Sequence, residues 1–310
     1  MKTRSQNDLF LDGGADVALD AATTRRALDE LFCLTQQYKS TQAYCDLLLF
    51  VANFRFYAPY NAMLIHIQRP GATFVCTPSR WLDDFKREIK PGSSPLLILQ
   101  PMGPVMFVFD VLDTIPFPGA PQLPSGVESP FEVSGTVDSQ FERTTANALR
   151  DGVEVSPFHG GSQQAGQIAS ARSHRSLRYQ TKFKPEPEFV PVPLRYELLL
   201  NSSQPREVQY ATFVHELAHL YCGHLGSPNP SWWPDRRGCS LEEREFEAES
   251  VSYLVCRRLG IDTPSEDYLA GYLERNSPLP TISLEAVMVA ANLIERMGRE
   301  RLKPRKESKK

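Results

Sequence analysis

Five prolines, with several glycines and serines, fall between residues 115 and 136. Proline removes a backbone donor and fixes φ, so neither a long helix nor an inner strand can run through such a segment. The 310-residue chain is therefore read as two folded parts with a Pro-rich linker at 115–136. Residues 1–23 are polar and rich in Gly and Asp, and read as a disordered start. Residues 24–114 make a first domain and 137–300 a second. Residues 301–310 read as a basic tail with a frayed, solvated end.

Composition narrows the function classes. Apolar residues make up 41% and charged residues 23%, as in ordinary globular proteins. Net charge is -3, which excludes bulk attraction to nucleic acid and leaves only a local basic patch. No stretch of about 18 apolar residues occurs, so no membrane span is expected. The N-terminus lacks the apolar core of a secretory signal. The six cysteines are scattered, without a Cys-x-x-Cys pair, and are expected to be reduced thiols in a cytoplasmic protein.

Periodicity predicts helices over 25–38, 41–54 and 60–68. A strand follows at 73–76, and a short helix at 78–85 with Ser79 as its cap. Strands at 95–101 and 105–111 flank a turn at Met102-Gly103-Pro104. In the second part, a helix is predicted at 138–151, loops and short strands over 160–190, and a strand at 194–200. The next helix runs from Pro205, at its first position, to about Cys222, and Gly223 stops it. Ser240 and Glu243 form a capping box for a helix ending before Gly260. Two more helices are predicted, one opening at Thr263 and one over 283–298. The fold class is α+β, with a helical C-terminal region.

The chemistry centres on His215-Glu216-Leu217-Ala218-His219. Residues four apart on a helix share a face, with Cβ atoms about 5–6 Å apart. Two imidazoles so placed can each offer a nitrogen to a tetrahedral Zn²⁺. Glu216 then stands beside the metal, where a carboxylate can act as general base on a water that zinc acidifies towards a pKa of about 7. His224 is five residues past His219 and beyond the Gly223 stop, so it is read as a supporting or substrate-facing group rather than a ligand. The acidic helix after Ser240 offers Glu245 and Glu249 on one face. Glu245 is assigned as the third ligand and Glu249 as a brace on a metal-bound His, with the reverse left open. Glu242, Glu243 and Glu247 read as a solvated face. Tyr196, Tyr221, His224 and Tyr253 are unranked candidates for stabilising a transition state.

The stretches ATFVHELAHLYCGHLG, REFEAESVSYLVCRRLGI and SEDYLAGYL resemble the ImmA/IrrE-type zincins and the related C-terminal domain of ArdC antirestriction proteins. In that family a Glu-x-x-Ala-(Asn/Glu) stretch supplies the third zinc ligand, and it maps onto Glu245 through Glu249. The segment from Tyr60 to Pro101, continuing to FVFDVLDT, is similar to the ArdC N-terminal domain, with Asn61, Gln68, Pro70, Trp81, Pro101, Phe109 and Asp110 as landmarks. That resemblance implies single-stranded DNA binding, for which Arg55, Tyr57, Tyr60, Trp81 and Lys86 are candidates by stacking and phosphate contact. Core packing for the aromatics and a solvated surface for the cations are the competing reading. A zincin-like domain behind an ArdC-like one would make the chain a zinc metallopeptidase acting on a protein or peptide, such as a DNA-associated regulator. The alternative is an antirestriction-type binder of single-stranded DNA or nucleoprotein that uses the zincin fold as a scaffold.

Overall fold

A computed structural model describes residues 41–100, 105–123, 137–159, 165–182, 185–263 and 279–305. The predicted helices over 25–38 and after Thr263, and the turn at 102–104, lie outside the described residues. The chain divides into two compact units, Met1–Glu132 and Val133–Lys310. Both helices and sheets are present, and the fold class is α+β.

In the first unit, α1 (Thr41–Asn53) and α2 (Pro59–Gln68) precede β1 (Val75–Cys76), α3 (Pro78–Asp83), β2 (Arg87–Ile89), β3 (Leu96–Ile98), β4 (Met106–Asp110) and β5 (Thr114–Pro116). One sheet has the order β1-β4-β3 and is antiparallel throughout; β2 and β5 form a separate ribbon. An outer strand such as β3 presents unpaired backbone groups that a protein must cover. Here α2 covers them with two side-chain amides. Asn61 donates to Leu99 O and accepts from Leu99 N, at 2.9 and 3.0 Å. Gln68 does the same for Leu97, both at 2.8 Å. The core beneath is aromatic: Phe74 meets Trp81 and Phe85 edge-on, with centroids 5.5 and 5.4 Å apart. Asp110 is fully buried, accepting from Leu112 N and Thr73 N. Two local expectations change. Ser79 does not cap α3: Thr77 precedes it and Pro78, whose missing N–H costs nothing there, opens the helix. The segment read as linker begins with an ordered strand, since β5 reaches Pro116.

In the second unit, α4 (Val137–Ala148) leads through a 3₁₀ turn to β6 (Val153–Phe158), β7 (Gly166–Ser170), β8 (Ser176–Lys182), β9 (Glu188–Pro193) and β10 (Tyr196–Asn201). Then come α5 (Arg206–Tyr221), α6 (Leu241–Leu259) and α7 (Leu284–Arg299). The sheet order is β6-β10-β7, parallel between β6 and β10 and antiparallel between β10 and β7; β8 and β9 form their own ribbon. The strand before the histidine helix is thus central, and β6 and β7 are the outer strands. Leu198 and Leu200 of β10, Phe213 and Leu217 of α5, Phe246 and Leu254 of α6, and Val287 and Ile294 of α7 are buried together. At roughly 25 cal/mol per Å², each such side chain contributes about 1.5–3 kcal/mol.

The start of the tail is anchored rather than frayed, although Arg301, Lys303 and Pro304 are exposed. Asn147 of α4 donates to Met297 O and Glu300 O and accepts from Leu302 N. Leu302 is buried, and Arg305 pairs with buried Asp151 at 2.7 Å. Tail residues 306–310 lie outside the described residues. No described helix is long and apolar enough to cross a membrane. The five described cysteines are free.

Candidate metal centre

Helix α5 owes its position to one glycine. A Cβ on Gly166 of β7 would lie 2.6 Å from Thr212 Cγ2 and 3.0 Å from Leu199 O, so only glycine lets the helix approach the strand this closely. One turn on from Thr212 come His215, Glu216 and His219. Leu217, Ala218 and Leu220 are buried, while His215, Glu216 and His219 keep partial exposure.

The two imidazoles converge as their spacing requires, with Nε2 atoms 3.1 Å apart. Glu245 of α6 faces both, its Oε2 3.5 Å from His215 Nε2 and its Oε1 3.6 Å from His219 Nε2. Tetrahedral zinc with bonds of about 2.0–2.1 Å holds its ligand atoms about 3.3 Å apart. The two imidazole nitrogens, and each nitrogen with the Glu245 oxygen turned to it, lie within a few tenths of an ångström of that, and one atom from each residue lies within 4.8 Å of the others, so the residues present fit a Zn²⁺ ion. Two imidazoles and one carboxylate also leave a fourth position, the pattern of a reactive site rather than a closed structural one. Glu249, one turn along, instead meets the far nitrogen of His215, with Oε1 3.3 Å from Nδ1. Glu245 is therefore the carboxylate that faces both Nε2 atoms, and Glu249 sits where a brace would.

The electrostatics follow from this crowding. Burial opposes charge on His215, yet the bonds to Glu245 and Glu249 overcome it and push the imidazole up to about 10. Burial and the neighbouring His215 charge push His219 down to about 3. Glu245 is held below the usual carboxylate range, chiefly by His215. In the metal-free protein one proton thus sits on His215, and a metal taking that nitrogen must displace it.

Glu216 points to the sheet side of the site, where its Oε2 accepts from Ile168 N at 2.9 Å. Burial raises its pKa, against the lowering effects of His215 and the Ile168 bond. Because Ala171 N bonds Arg195 O and Asn201 N bonds Ala165 O, odd-numbered residues of β7 face β10. Gly166, Ile168 and Ser170 therefore turn their backbone groups the other way, to the side of Glu216.

Two residues lie closer to the histidines than local spacing conveys. His224, read as a supporting group, comes beside His219. Gly223 adopts φ +86°, and a Cβ there would lie 2.1 Å from Pro234 O. Gly223 N bonds Leu220 O and His224 N bonds His219 O, the paired bonds of a Schellman stop. The chain folds back, and His224 Nδ1 comes to 3.0 Å from His219 Nδ1. The second is Glu247, read as solvated but fully buried. Its Oε2 lies 2.9 Å from His224 Nε2, Arg236 grips it with two nitrogens, and Ser283 N donates to it at 2.6 Å. Burial works against its charge, but these donors hold its carboxyl below the usual range. A signal was present: Glu247 shares a helix stripe with Ser250, Val251, Leu254 and Arg258, all buried. No comparable signal marked Arg236, which lies in a loop. Cys222, His224 and Glu247 also cluster, but they do not fit a metal. Burial holds Cys222 as a thiol, pushing its pKa well up, and the bonding capacity of Glu247 is committed to Arg236, Ser283 and His224.

Other candidates fall elsewhere. Tyr221 donates to buried Asp151 at 2.9 Å, and Tyr196 is directed at Gly226 O at 3.5 Å, so neither hydroxyl is turned to the histidines. Tyr253 is buried. In the first unit, Trp81 is completely buried and donates to Phe109 O at 2.8 Å, and Tyr57 is buried and donates to Val75 O at 3.1 Å. Both are corrected from candidate stacking surfaces to core residues. Arg55 and Tyr60 are half-buried, and Lys86 is exposed.

No protein-family description matches the sequence, and no curated protein matches it. Among solved structures, the chain is similar to the metal-free crystal structure of the antirestriction protein ArdC from the R388 plasmid. The two are 14% identical over 77% of this chain and 81% of that one, with a TM-score of 0.29. A likeness at that level carries no inference about the site.

Proposed function

We propose that the second unit is a zinc-dependent peptidase in which His215, His219 and Glu245 hold the metal and Glu216 is the general base. The observation that carries this reading is the convergence of two imidazole nitrogens 3.1 Å apart on one carboxylate, which turns one oxygen to each at 3.5 and 3.6 Å, with a half-buried carboxylate next in sequence to the first imidazole. Bound zinc supplies a Lewis acid that polarises a carbonyl and acidifies a water. Glu216, with its pKa raised by burial, takes the proton from that water and returns it to the departing amine. The Ile168 N–H fixes one carboxylate oxygen and leaves the other to move the proton. The outward backbone groups of β7 support a peptide as the substrate class, since an extended segment can add to such a strand. The pattern over Glu245–Glu249 resembles that of the ImmA/IrrE-type zincins.

Glu216→Gln tests the reading. It should retain stoichiometric zinc and lose about 10²–10⁴-fold in peptide hydrolysis. Equal activity of wild type and variant would sink it. A second reading, binding of single-stranded DNA or nucleoprotein, follows from the resemblance of the segment from Tyr60 to Pro101 to the ArdC N-terminal domain. Arg55, Tyr60 and Lys86 are the surface groups left to serve it. A cellular function that survives Glu216→Gln unchanged would favour this second reading.

A further inference from the structure

We infer that Glu247 and His224 form a buried positioning relay that sets the protonation pattern of His219 and so presents its Nε2 to the metal; this rests on the metal site proposed above. The starting point is the direction of the hydrogen bonds. Arg236 and Ser283 N can only donate, and both donate to Glu247. Glu247 as a carboxylate can only accept, so the 2.9 Å contact with His224 requires the proton on His224 Nε2. The relay assigns the other His224 nitrogen, 3.0 Å from His219 Nδ1, as the acceptor of a His219 Nδ1–H. His219 is left with its lone pair on Nε2, the atom that faces His215 and Glu245.

The fold supplies the relay from three places. The Schellman stop at Gly223 turns His224 back beside His219. Helix α6 supplies Glu247, which is two residues past Glu245 and on a different face of the helix. The 222–239 loop and the start of α7 supply Arg236 and Ser283 N. Glu247 is fully buried, and its pairing with Arg236 and Ser283 N, which can only donate, fixes it as the acceptor towards His224. A burial cost of several kcal/mol is tolerated only when donors saturate the carboxylate, as they do here. His219 and His215 are thus braced by different carboxylates, His215 directly by Glu249 and His219 through an imidazole. Neither His224 nor Glu247 touches a substrate position; both act through His219.

The test compares full-length wild type, His224→Leu, His224→Gln and His219→Ala. Zinc affinity is read by chelator competition, the His219 tautomer by ¹⁵N-histidine spectra of the metal-free protein, and folding by thermal melts. His224→Leu should bind zinc about 10–100-fold more weakly and lose the Nδ1–H preference of His219. His224→Gln, whose amide keeps one acceptor and one donor, should recover most of both. His219→Ala should bind no zinc at this site. If His224→Leu matches wild type in affinity and tautomer while His219→Ala is empty, the relay is wrong and the metal site stands. If His219→Ala binds zinc like wild type, the site itself is wrong and the relay falls with it. If His224→Leu does not fold, His224→Gln decides. Folded His224→Gln with wild-type affinity and the Nδ1–H form supports the relay, and folded His224→Gln weakened as far as a lost ligand overturns it.

Discussion

In the first unit Trp81 is sealed under Phe74 and Phe85, with its one polar atom bonded to Phe109 O. In the second, His215 and His219 stand partly exposed with their Nε2 atoms 3.1 Å apart and a carboxylate facing both. Both were picked out by residue type, yet only the histidines also carried a spacing. An aromatic ring in a compact domain finds its lowest free energy in the core, where it buries 150–250 Å². Two imidazoles held on one helix face compete for protons: the charge on His215, held by Glu245 and Glu249, lowers the proton affinity of His219. Such crowding persists where an ion can occupy the gap. Residue type alone therefore pointed at packing, and type combined with spacing pointed at a site.

The comparison is broken most sharply by deleting one residue from each unit. Trp81→Ala should cost about 3–5 kcal/mol of the first unit's stability, as a large cavity opens under Phe74. Zinc content should not change. His219→Ala should do the opposite, abolishing stoichiometric zinc with a native circular dichroism spectrum. Metal analysis beside urea unfolding reads both. Zinc loss in Trp81→Ala protein that is still folded would mean that the division of roles is wrong.

A second contrast lies within the second unit, between the partly exposed carboxylates that face the histidines and the buried Asp151. Asp151 accepts from Arg150, Arg305 and Tyr221. Burial alone would raise its pKa, but the two arginines outweigh it and hold it below the usual carboxylate range. A depressed folded-state value means a contribution that is present above the unfolded value of about 3.9 and is lost as pH falls through the folded one. Asp151→Asn, which strands Arg150 in the core, should cost about 3–5 kcal/mol at pH 7. Its urea midpoint should also fall less steeply than that of wild type on the acid side of pH 4. A parallel acid limb in the variant would show that Asp151 is not the group being titrated.

Gly166 sharpens the link between sheet and site. Gly166→Val must push Thr212 away from β7, and with it the turn that carries Glu216. A general base displaced by about 1 Å can lose on the order of 10²-fold in rate. Zinc affinity should fall less than the rate, because of the three proposed ligands only His215 shares that turn, His219 being a turn further on and Glu245 on α6. A peptidase assay at saturating zinc separates the two, and equal losses in both would mean that α5 moves as a whole.

These contrasts also explain what the sequence could and could not convey. The capping box at Ser240 and Glu243, the Gly260 stop and the one-turn histidine pair are local, and each appears where its spacing puts it. The fold-back of His224, the burial of Glu247 and the docking of Arg305 on Asp151 depend on partners 5 to 154 positions away. Glu247 was misread because its charge was weighed and its helix stripe was not. The central place of β10 was invisible for a different reason. A parallel partner and an antiparallel one impose the same alternation on a strand, so nothing in residues 196–201 announces which neighbours it has.

The smallest expected effect bears on the nucleic-acid reading. Lys86 is exposed and, at φ +50°, lies in the left-handed region that favours glycine. As a backbone position it carries strain of about 1–2 kcal/mol, which glycine removes at an entropic cost of about 0.5–1 kcal/mol. Lys86→Gly should therefore stabilise the first unit slightly, by up to about 1 kcal/mol in urea unfolding. As a phosphate contact, the same substitution would delete one charge and reduce the salt slope of single-stranded oligonucleotide binding by about 0.7. One variant thus separates the two roles. A small gain in stability with an unchanged salt slope leaves the first unit as a packed domain whose visible landmarks are structural. A loss of slope would return Lys86, with Arg55 and Tyr60, to a binding surface that the buried Trp81 and Tyr57 support from beneath.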